Sequence, residues 1–394
     1  MSFLSTLSAE AISIRQSLRQ QILTVGNESF ESLALAVFRY QAAYNPVYRT
    51  YLDCLSVRPE HVTGLDQVPF MPIGFFKYHT ILTGLDPNDR MAADTLTFAS
   101  SGTTSRKVGS PSSESAETSH HLVPDPELYD AVSTRIFEQA YGPLTNFHIL
   151  ALLPSYLERN NSSLVYMVQR FMAQSGRFTS GHLPTDAALT ADESANFFLN
   201  NVDELTRRLR QLTDQPDGKR ILLIGVTFAL LDWAESDADL RFLGQNPNLV
   251  VMETGGMKGR RKELLREEVH EVLTDRLGIS RVHSEYGMTE LLSQAYSMGE
   301  GVFRPSPTLR VVLRDINDPF QRITPGQTVS RQTGSRQTGG INVVDLANLD
   351  SCSFIETQDL GQYVDEGESF SGAFRVIGRF DNSDVRGCNL LVIN

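Results

Sequence analysis

Apolar positions recur at helical spacing in "LSAEAISIRQSLRQQIL" and again in "FESLALAVFRYQAAY", which predicts two α-helices within the first 45 residues. The pattern then breaks. "VPFMPIGFFKYHTIL" (68–82) holds too many breakers for a long helix and too much apolar surface for a free loop, so it is expected to lie packed against the main body. Beyond it, short β-type runs alternate with helical stretches: "TLTF" (95–98), "FHILALL" (147–153), "ILLIGV" (221–226), "LVVM" (249–252) and "ISRVH" (279–283). Alternation of this kind is the signature of βαβ units.

The clearest unit runs from 249 to 290. A strand and a turn lead to a helix with Leu265, Val269, Val272 and Leu273 on one face, then a Gly278 stop and a second strand. Two parallel strands are predicted, and ligands of such sheets sit outside the carboxyl ends of the strands, here the segments after Met252 and after His283. After about residue 300 helical periodicity fades, and "LRVVLRDI", "GGINVVDL", "CSFIETQDLGQYV" and "FRVIGRF" predict a β-rich region. The expected fold class is α/β, with parallel-rich sheets flanked by helices and a C-terminal β-rich subdomain. Residues 1–90 are read as a helical segment packed on the core, 91–300 as the α/β core, and 301–394 as the β-rich subdomain. Two polar stretches, 105–121 and the tandem pentapeptide in "SRQTGSRQTGG" (330–340), are read as loops.

Composition narrows the function classes. A chain of 394 residues with 41% hydrophobic content can bury a large core in two or three closely packed subdomains. Its 35 Lys and Arg against 47 Asp and Glu give a net charge of −12, which opposes binding to phosphate backbones, so nucleic acid is not an expected partner. No apolar run approaches the roughly 20 residues of a membrane span, and "MSFLSTLSAEAISIRQSLRQ" carries charges where a signal peptide needs an apolar centre. A cytoplasmic protein is expected. Cys54, Cys352 and Cys388 are odd in number, far apart and without metal-type spacing, which argues against a disulfide framework or a zinc site.

Four segments carry candidate chemistry. "TFASSGTTSRK" (97–107) follows a predicted strand and sets Ser100, Ser101, Thr103, Thr104 and Ser105 around Gly102, a composition suited equally to an anion nest for triphosphate and to a solvated turn. The spacing is not that of a Walker A loop. "HSEYGMTELLSQAY" (283–296) offers Tyr286 as a flat face for a base, Thr289 as a hydroxyl for phosphate and Glu290 as a hard oxygen for Mg²⁺; the competing reading is a turn into a helix capped by Thr289 and Glu290. In "METGGMKG" (252–259), Gly255 and Gly256 let the backbone approach a ligand at a helix N-terminus, or simply form a left-handed turn. Asp359 in "TQDLGQY" and Arg379 in "IGRFDNSD" suit ribose hydroxyls, although each alone is a commonplace turn acid or surface cation.

In this order the segments resemble the adenylate-forming superfamily of acyl-CoA synthetases, luciferase and phenylacetate–CoA ligase. "SSGTTS" resembles its phosphate loop, "YGMTE" its adenine and magnesium motif, "DLG" its ribose aspartate and "GR" its ribose arginine. Within it, "VPFMPIGFFK", "DPELYDAVSTRIFEQAYG" and "VRGCNLL" are similar to stretches of the acyl-protein synthetase (LuxE-type) family of the fatty-acid reductase complex. The resemblance implies that a fatty acid and ATP give an acyl-adenylate, and that the acyl group moves to a cysteine near the C-terminus. An NADPH-dependent acyl reductase then receives it. By the same resemblance Ser100, Ser101, Gly102, Thr103 and Thr104 wrap the ATP phosphates, Gly255 and Gly256 flank the adenine, and Tyr286 and Gly287 form the base platform. Thr289 and Glu290 hold phosphate and Mg²⁺, Asp359 and Arg379 the ribose, and Cys388 is the acyl carrier.

Three departures accompany the likeness. Ser105 stands where a Gly is usual and "RKV" replaces a Pro-Lys pair; "LLPSYLERN" lacks a histidine common in acyl-CoA synthetases; and the lysine-bearing C-terminal domain of full-length relatives is expected to be absent after Asn394. Two other functions are therefore carried forward: an acyl-CoA or acyl-carrier-protein ligase in which Cys388 is structural, and a non-catalytic acyl- or nucleotide-binding scaffold. A carrier protein and a homo-oligomer are the further candidate partners.

Overall fold

The structure, a computed structural model, describes residues 8–84, 95–100, 118–154, 161–176, 196–256, 261, 264–323, 337–364 and 372–380. At the start of the chain, α1 (Ala9–Thr24) is capped by Ser8, whose hydroxyl accepts from the Ala11 amide, and buries Leu18 and Ile22 on one face. α2 (Phe30–Tyr44) buries Leu33, Val37 and Phe38, and α3 (Pro46–Cys54) follows directly, with Asn45 as cap and Pro46 in its first turn. The segment after α3 is packed on the body as its composition requires: Val68, Phe70, Met71 and Phe76 are buried, β1 (Met71–Pro72) joins a sheet, and α4 (Phe75–Tyr78) is a single turn.

β2 (Leu96–Ala99) and β3 (His120–Val123) form an antiparallel pair with Leu96 opposite Val123. α5 (Pro126–Tyr141), β4 (Phe147–Leu152), α6 (Ser163–Ser175), α7 (Val202–Asp214), β5 (Arg220–Val226), α8 (Thr227–Ala234), β6 (Leu249–Thr254), α9 (Arg266–Leu277) and β7 (His283–Tyr286) then alternate. β4, β5, β6 and β7 lie parallel in that order, with β8 (Ala295–Ser297) antiparallel at the edge. Burial of β4, β5 and β6 along nearly their whole length explains their continuous apolar runs. β9 (Leu309–Arg314), β10 (Gly339–Asp345), β11 (Phe354–Tyr363) and β12 (Phe374–Arg379) form the β-rich sheet; β12 and β10 flank β11, and β1 adds to it in parallel.

The chain is thus a mixed α/β protein, as its periodicity requires, and three local expectations are corrected. Pairing begins at His283, not at Ile279, because only His283–Glu285 lie opposite Met252–Thr254; Gly278, left-handed at φ 70°, ends α9 as expected. Leu265 precedes α9 and is 63% exposed, so it is outside the face formed by Val269 and Leu273. The described helix after β6 begins at Arg266, so Gly255 and Gly256 follow a strand and do not adjoin the N-terminus of that helix.

Two buried carboxylates fasten these layers. Asp350, in the turn before β11, takes a bidentate contact from Arg15 of α1 at 2.6 Å to each oxygen, and the same guanidinium reaches Asp125, the cap of α5, at 2.9 Å. Asp345, at the end of β10, accepts from the amides of Leu292 (2.7 Å), Ser293 (2.9 Å) and Ala347 (3.0 Å) and from the Ser293 hydroxyl (2.6 Å). Asp345→Ala would strand these donors in the interior. It is expected to cost about 3 kcal/mol or more in urea unfolding at unchanged m-value; a loss under about 1 kcal/mol would mean that the segment at 292–293 finds other acceptors.

Candidate active site

β6 and β7 end side by side, with Thr254 opposite Glu285, at the carboxyl edge where open parallel sheets receive ligands. After β6, Gly255 is left-handed at φ 75°, and among the described residues nothing stands within 4 Å of where a side chain at Gly256 would begin. After β7, residues 287–294 form neither helix nor strand and are buried from Glu290 onward. The competing reading of Thr289 and Glu290 as a helix cap is therefore overturned. Instead the segment is held by side chains from elsewhere: His121 Nδ1 lies 2.9 Å from the Thr289 carbonyl, Asn348 Nδ2 donates to the Glu290 carbonyl at 2.8 Å, and Asp345 takes the next two amides. A Cβ at Gly287 would stand 2.2 Å from Glu285 Oε1, so a larger residue there would have to displace the Glu285 carboxyl.

Tyr286, Asp359 and Arg379 converge across the two large sheets. Asp359 of β11 is paired in register with Arg379 of β12, with Arg379 Nε 3.2 Å from Oδ1, while the Tyr286 hydroxyl donates to Oδ2 at 2.9 Å. Burial pushes the Asp359 carboxyl above its ordinary value, and Arg379 and the Tyr286 hydroxyl oppose that push. The Tyr286 ring is 7% exposed, edge-on to Phe374 at 5.6 Å and tilted against Phe303 at 5.8 Å, so its described ring neighbours are protein aromatics.

Glu290 completes the cluster. It is 6% exposed, and burial pushes its carboxyl up; a hydrogen bond from Ser119 and the charge of Arg379 pull it down, and the Asp359 charge pushes it further up. Ser119 is locked to Ser100 by two bonds, Ser100 N to the Ser119 carbonyl and Ser119 N to Ser100 Oγ, each 3.0 Å. The hydroxyl-rich segment therefore leaves and rejoins the fold at Ser100 and Ser119, beside Glu290. Ser101, Gly102, Thr103 and Thr104 lie outside the described residues, as does Cys388. Among the described residues no group of three His, Cys, Asp or Glu side chains can hold a metal ion. A lone buried carboxylate beside such a segment fits a cation carried chiefly by phosphate oxygens, the habit of Mg²⁺ in nucleotide sites.

His121, Ser119, Asn348, Asp345 and Glu285 were not anticipated as site residues. His120 and His121 are adjacent, and nothing in the sequence separates the exposed one from the buried one. Burial pushes the His121 ring down to about 4, so it is neutral: Nδ1–H donates to Thr289 and Nε2 accepts from the Ser351 hydroxyl at 3.0 Å. Glu285 is buried and accepts from the Thr254 hydroxyl, and burial pushes it up to about 7.

No helix among the described residues is long and apolar enough to cross a membrane. A family model described as acyl-protein synthetase, LuxE, matches residues 26–394 of the chain. No curated protein matches it.

The His121 ring makes a pH test with a defined sign. Its folded value of about 4 lies below the ordinary 6.5, so the unfolded state binds more protons in between; the stability linked to the neutral ring is complete above 6.5 and lost as pH falls toward 4. The stability advantage of the wild type over His121→Gln is expected to shrink by on the order of 2 to 3 kcal/mol from pH 7 to pH 4. Denaturant unfolding at each pH measures it, and a constant difference would show that the ring accepts a proton without leaving its place.

Proposed function

The chain belongs to the acyl-protein synthetase (LuxE) family, and we propose from that premise that it joins a fatty acid to AMP at the expense of ATP and then moves the acyl group to its own Cys388 for delivery to an acyl reductase. The observation that carries this reading is the convergence of Glu290, Asp359, Arg379 and the Ser100–Ser119 neck on one site at the carboxyl ends of β6 and β7.

In the first step a carboxylate oxygen of the acid attacks the α-phosphorus of ATP and pyrophosphate leaves. Asp359 accepts from ribose hydroxyls, and Arg379, 67% exposed at its side chain, donates to them. Gly255 and Gly256 admit the base edge to the backbone, beside Tyr286 and Gly287. Ser100 to Thr104 donate to the phosphate oxygens, with the Thr289 hydroxyl facing the same group. Glu290 would hold a Mg²⁺ ion, which would supply charge neutralisation for the departing pyrophosphate. In the second step the Cys388 thiolate attacks the acyl carbon, the C–O bond to AMP breaks, and a thioester remains. Cys388 follows Arg379 by only nine positions, a tether of at most about 30 Å even when fully extended, so the thiol is leashed to the ribose end of the same site.

Incubation with Mg²⁺, ATP and radiolabelled fatty acids separates the steps. Wild type is expected to release pyrophosphate and to carry label that hydroxylamine removes. Cys388→Ser releases pyrophosphate without becoming labelled, and Glu290→Ala loses about a hundredfold or more of both. Hydroxylamine-labile label persisting in Cys388→Ser would remove the carrier role, and no pyrophosphate with any acid would remove adenylation.

A further inference from the structure

Glu253, next to last in β6, is buried at the centre of a polar network that the site described above does not use. Its register partner on β7 is Ser284, and Tyr286 shares the face of Ser284 by alternation within β7. On that face Arg266, the first residue of α9, donates from Nε to Glu253 Oε1 at 3.0 Å. One turn further on, His270 Nε2 is 3.7 Å from the same oxygen and 3.3 Å from the Ser284 hydroxyl. From α8 the Thr227 hydroxyl donates to Glu253 Oε2 at 2.9 Å. Burial pushes the Glu253 carboxyl up, but His270, the Arg266 charge and Ser284 together hold it below its ordinary value, so it is the anion of a buried ion pair.

Such a pair adds little net stability compared with apolar side chains of the same volume, and α9 already buries Val269, Leu273 and Leu277. What it touches at its two ends points to another role. At one end, Thr227 Oγ1 is also 3.3 Å from the carbonyls of Thr254 and Gly255, so the hydroxyl that holds Glu253 sits against the Gly255 turn. At the other, the Arg266 guanidinium lies over the Phe303 ring at 4.9 Å, and that ring packs against Tyr286 at 5.8 Å. Phe303 is itself pinned: its amide donates to the Phe374 carbonyl at 2.8 Å, its carbonyl accepts from the Phe374 amide at 3.0 Å, and the two rings stack at 5.5 Å. The Arg266 charge also reaches Asp359 and pulls its carboxyl down. Contacts thus run from Gly255 through Thr227, Glu253, Arg266 and Phe303 to Tyr286, joining the two sides of the site assigned above to the base.

We propose that Glu253 and Arg266 are positioning residues that set the spacing between the Gly255 turn and the Tyr286 ring, and through it the preference of the site for a purine base over a smaller one. The role rests on the adenylation reading for the identity of the nucleotide and deepens it by naming what fixes the base. Neither side chain has to touch the ligand. A charge-assisted bond is directional, and the planar guanidinium presents one edge to Glu253 and a flat face to Phe303, so the two sides are held at one separation. A slot of fixed width gains its full contact only with a base that fills it, whereas a loosened slot discriminates less.

The test is calorimetric titration of the full chain, with Mg²⁺ and without acid, using ATP and CTP, which share ribose and triphosphate and differ in the base. Wild type is expected to bind ATP about tenfold or more tightly than CTP, and Glu253→Gln and Arg266→Met each to bring that ratio below about threefold by weakening ATP. Phe303→Leu and Thr227→Val each disturb one side alone and are expected to lower the ratio in the same direction, so the role is still read where an ion-pair variant does not fold. A merely structural pair would lower the unfolding midpoint and leave the ratio unmoved. No binding of ATP by wild type, equal binding of ATP and CTP, or a ratio unchanged in the folded variants would overturn the proposal. Pyrophosphate release by wild type with a panel of fatty acids reads the adenylation separately: a purine preference that the variants lose, without release from any acid, upholds the positioning role and removes the reaction.

Discussion

A buried stretch of chain with no helix or strand of its own is the constraint around which this protein is organised. Backbone amides and carbonyls taken out of water must be paired or they cost free energy. Residues 287–294 have no ladder to supply the pairs, so side chains bring them in: His121 to Thr289, Asn348 to Glu290, Asp345 to Leu292 and Ser293, and Gln294 to Leu292. His121 belongs to the β2–β3 pair, while Asp345 and Asn348 belong to the end of β10 and the turn after it. The same bonds that satisfy the segment therefore fix the parallel sheet, the hairpin and the β-rich sheet relative to one another. Glu290 is aimed by its own backbone carbonyl, and the strand that follows returns as β8 to cover β7.

Compensation separates structural carboxylates from those that face the site. Asp345 has four donors and Asp350 a bidentate guanidinium, enough to offset much of the cost of burying an ion. Asp359 has one hydroxyl and one guanidinium that is largely in solvent. Among the described residues Glu290 has the Ser119 hydroxyl and its own backbone amide, and Glu285 has the Thr254 hydroxyl. Fewer donors at equal burial leave a carboxyl with more to gain from a ligand, and the less compensated groups are the ones gathered at the carboxyl ends of β6 and β7.

The sequence made the local elements and the reactive turn legible because both depend on neighbours within a few positions. Alternating β and helical runs located the parallel strands, and the glycine after Leu277 located the end of α9. The aromatic-Gly-x-Thr-Glu stretch and the Asp359 and Arg379 positions pointed to residues that the fold does bring together. What was not legible depends on partners far away in the chain. His121 is chosen over His120 by a carbonyl 168 positions later, Asp345 serves amides more than 50 positions earlier, and no local pattern encodes either. Leu265 failed for the opposite reason: its spacing fits a helical face, but the helix starts one residue too late to use it. Glu285 was hidden by its position, since a charged residue inside a strand next to a motif reads as solvent-facing until the register shows it opposite Tyr296.

Arg379 sets the charge balance of the site. Its guanidinium pulls down both Asp359 and Glu290, while the Asp359 charge pushes Glu290 up, so one largely exposed cation is shared by two buried acids. Among the described residues, a site built this way is short of positive charge on the Glu290 side and, with the Tyr286 hydroxyl already donated to Asp359, has few donors left to meet a phosphate there. Ser100 and Ser119, which bracket the hydroxyl-rich stretch of the sequence, are bonded to each other at that deficit. A polyanion carrying its own divalent cation would cancel the excess on both sides at once: the cation against Glu290, and the anion against the hydroxyls and backbone amides. On the proposed function, it is this electrostatic shortage at Glu290, and not an abundance of ready donors, that would favour a metal–phosphate pair over either ion alone.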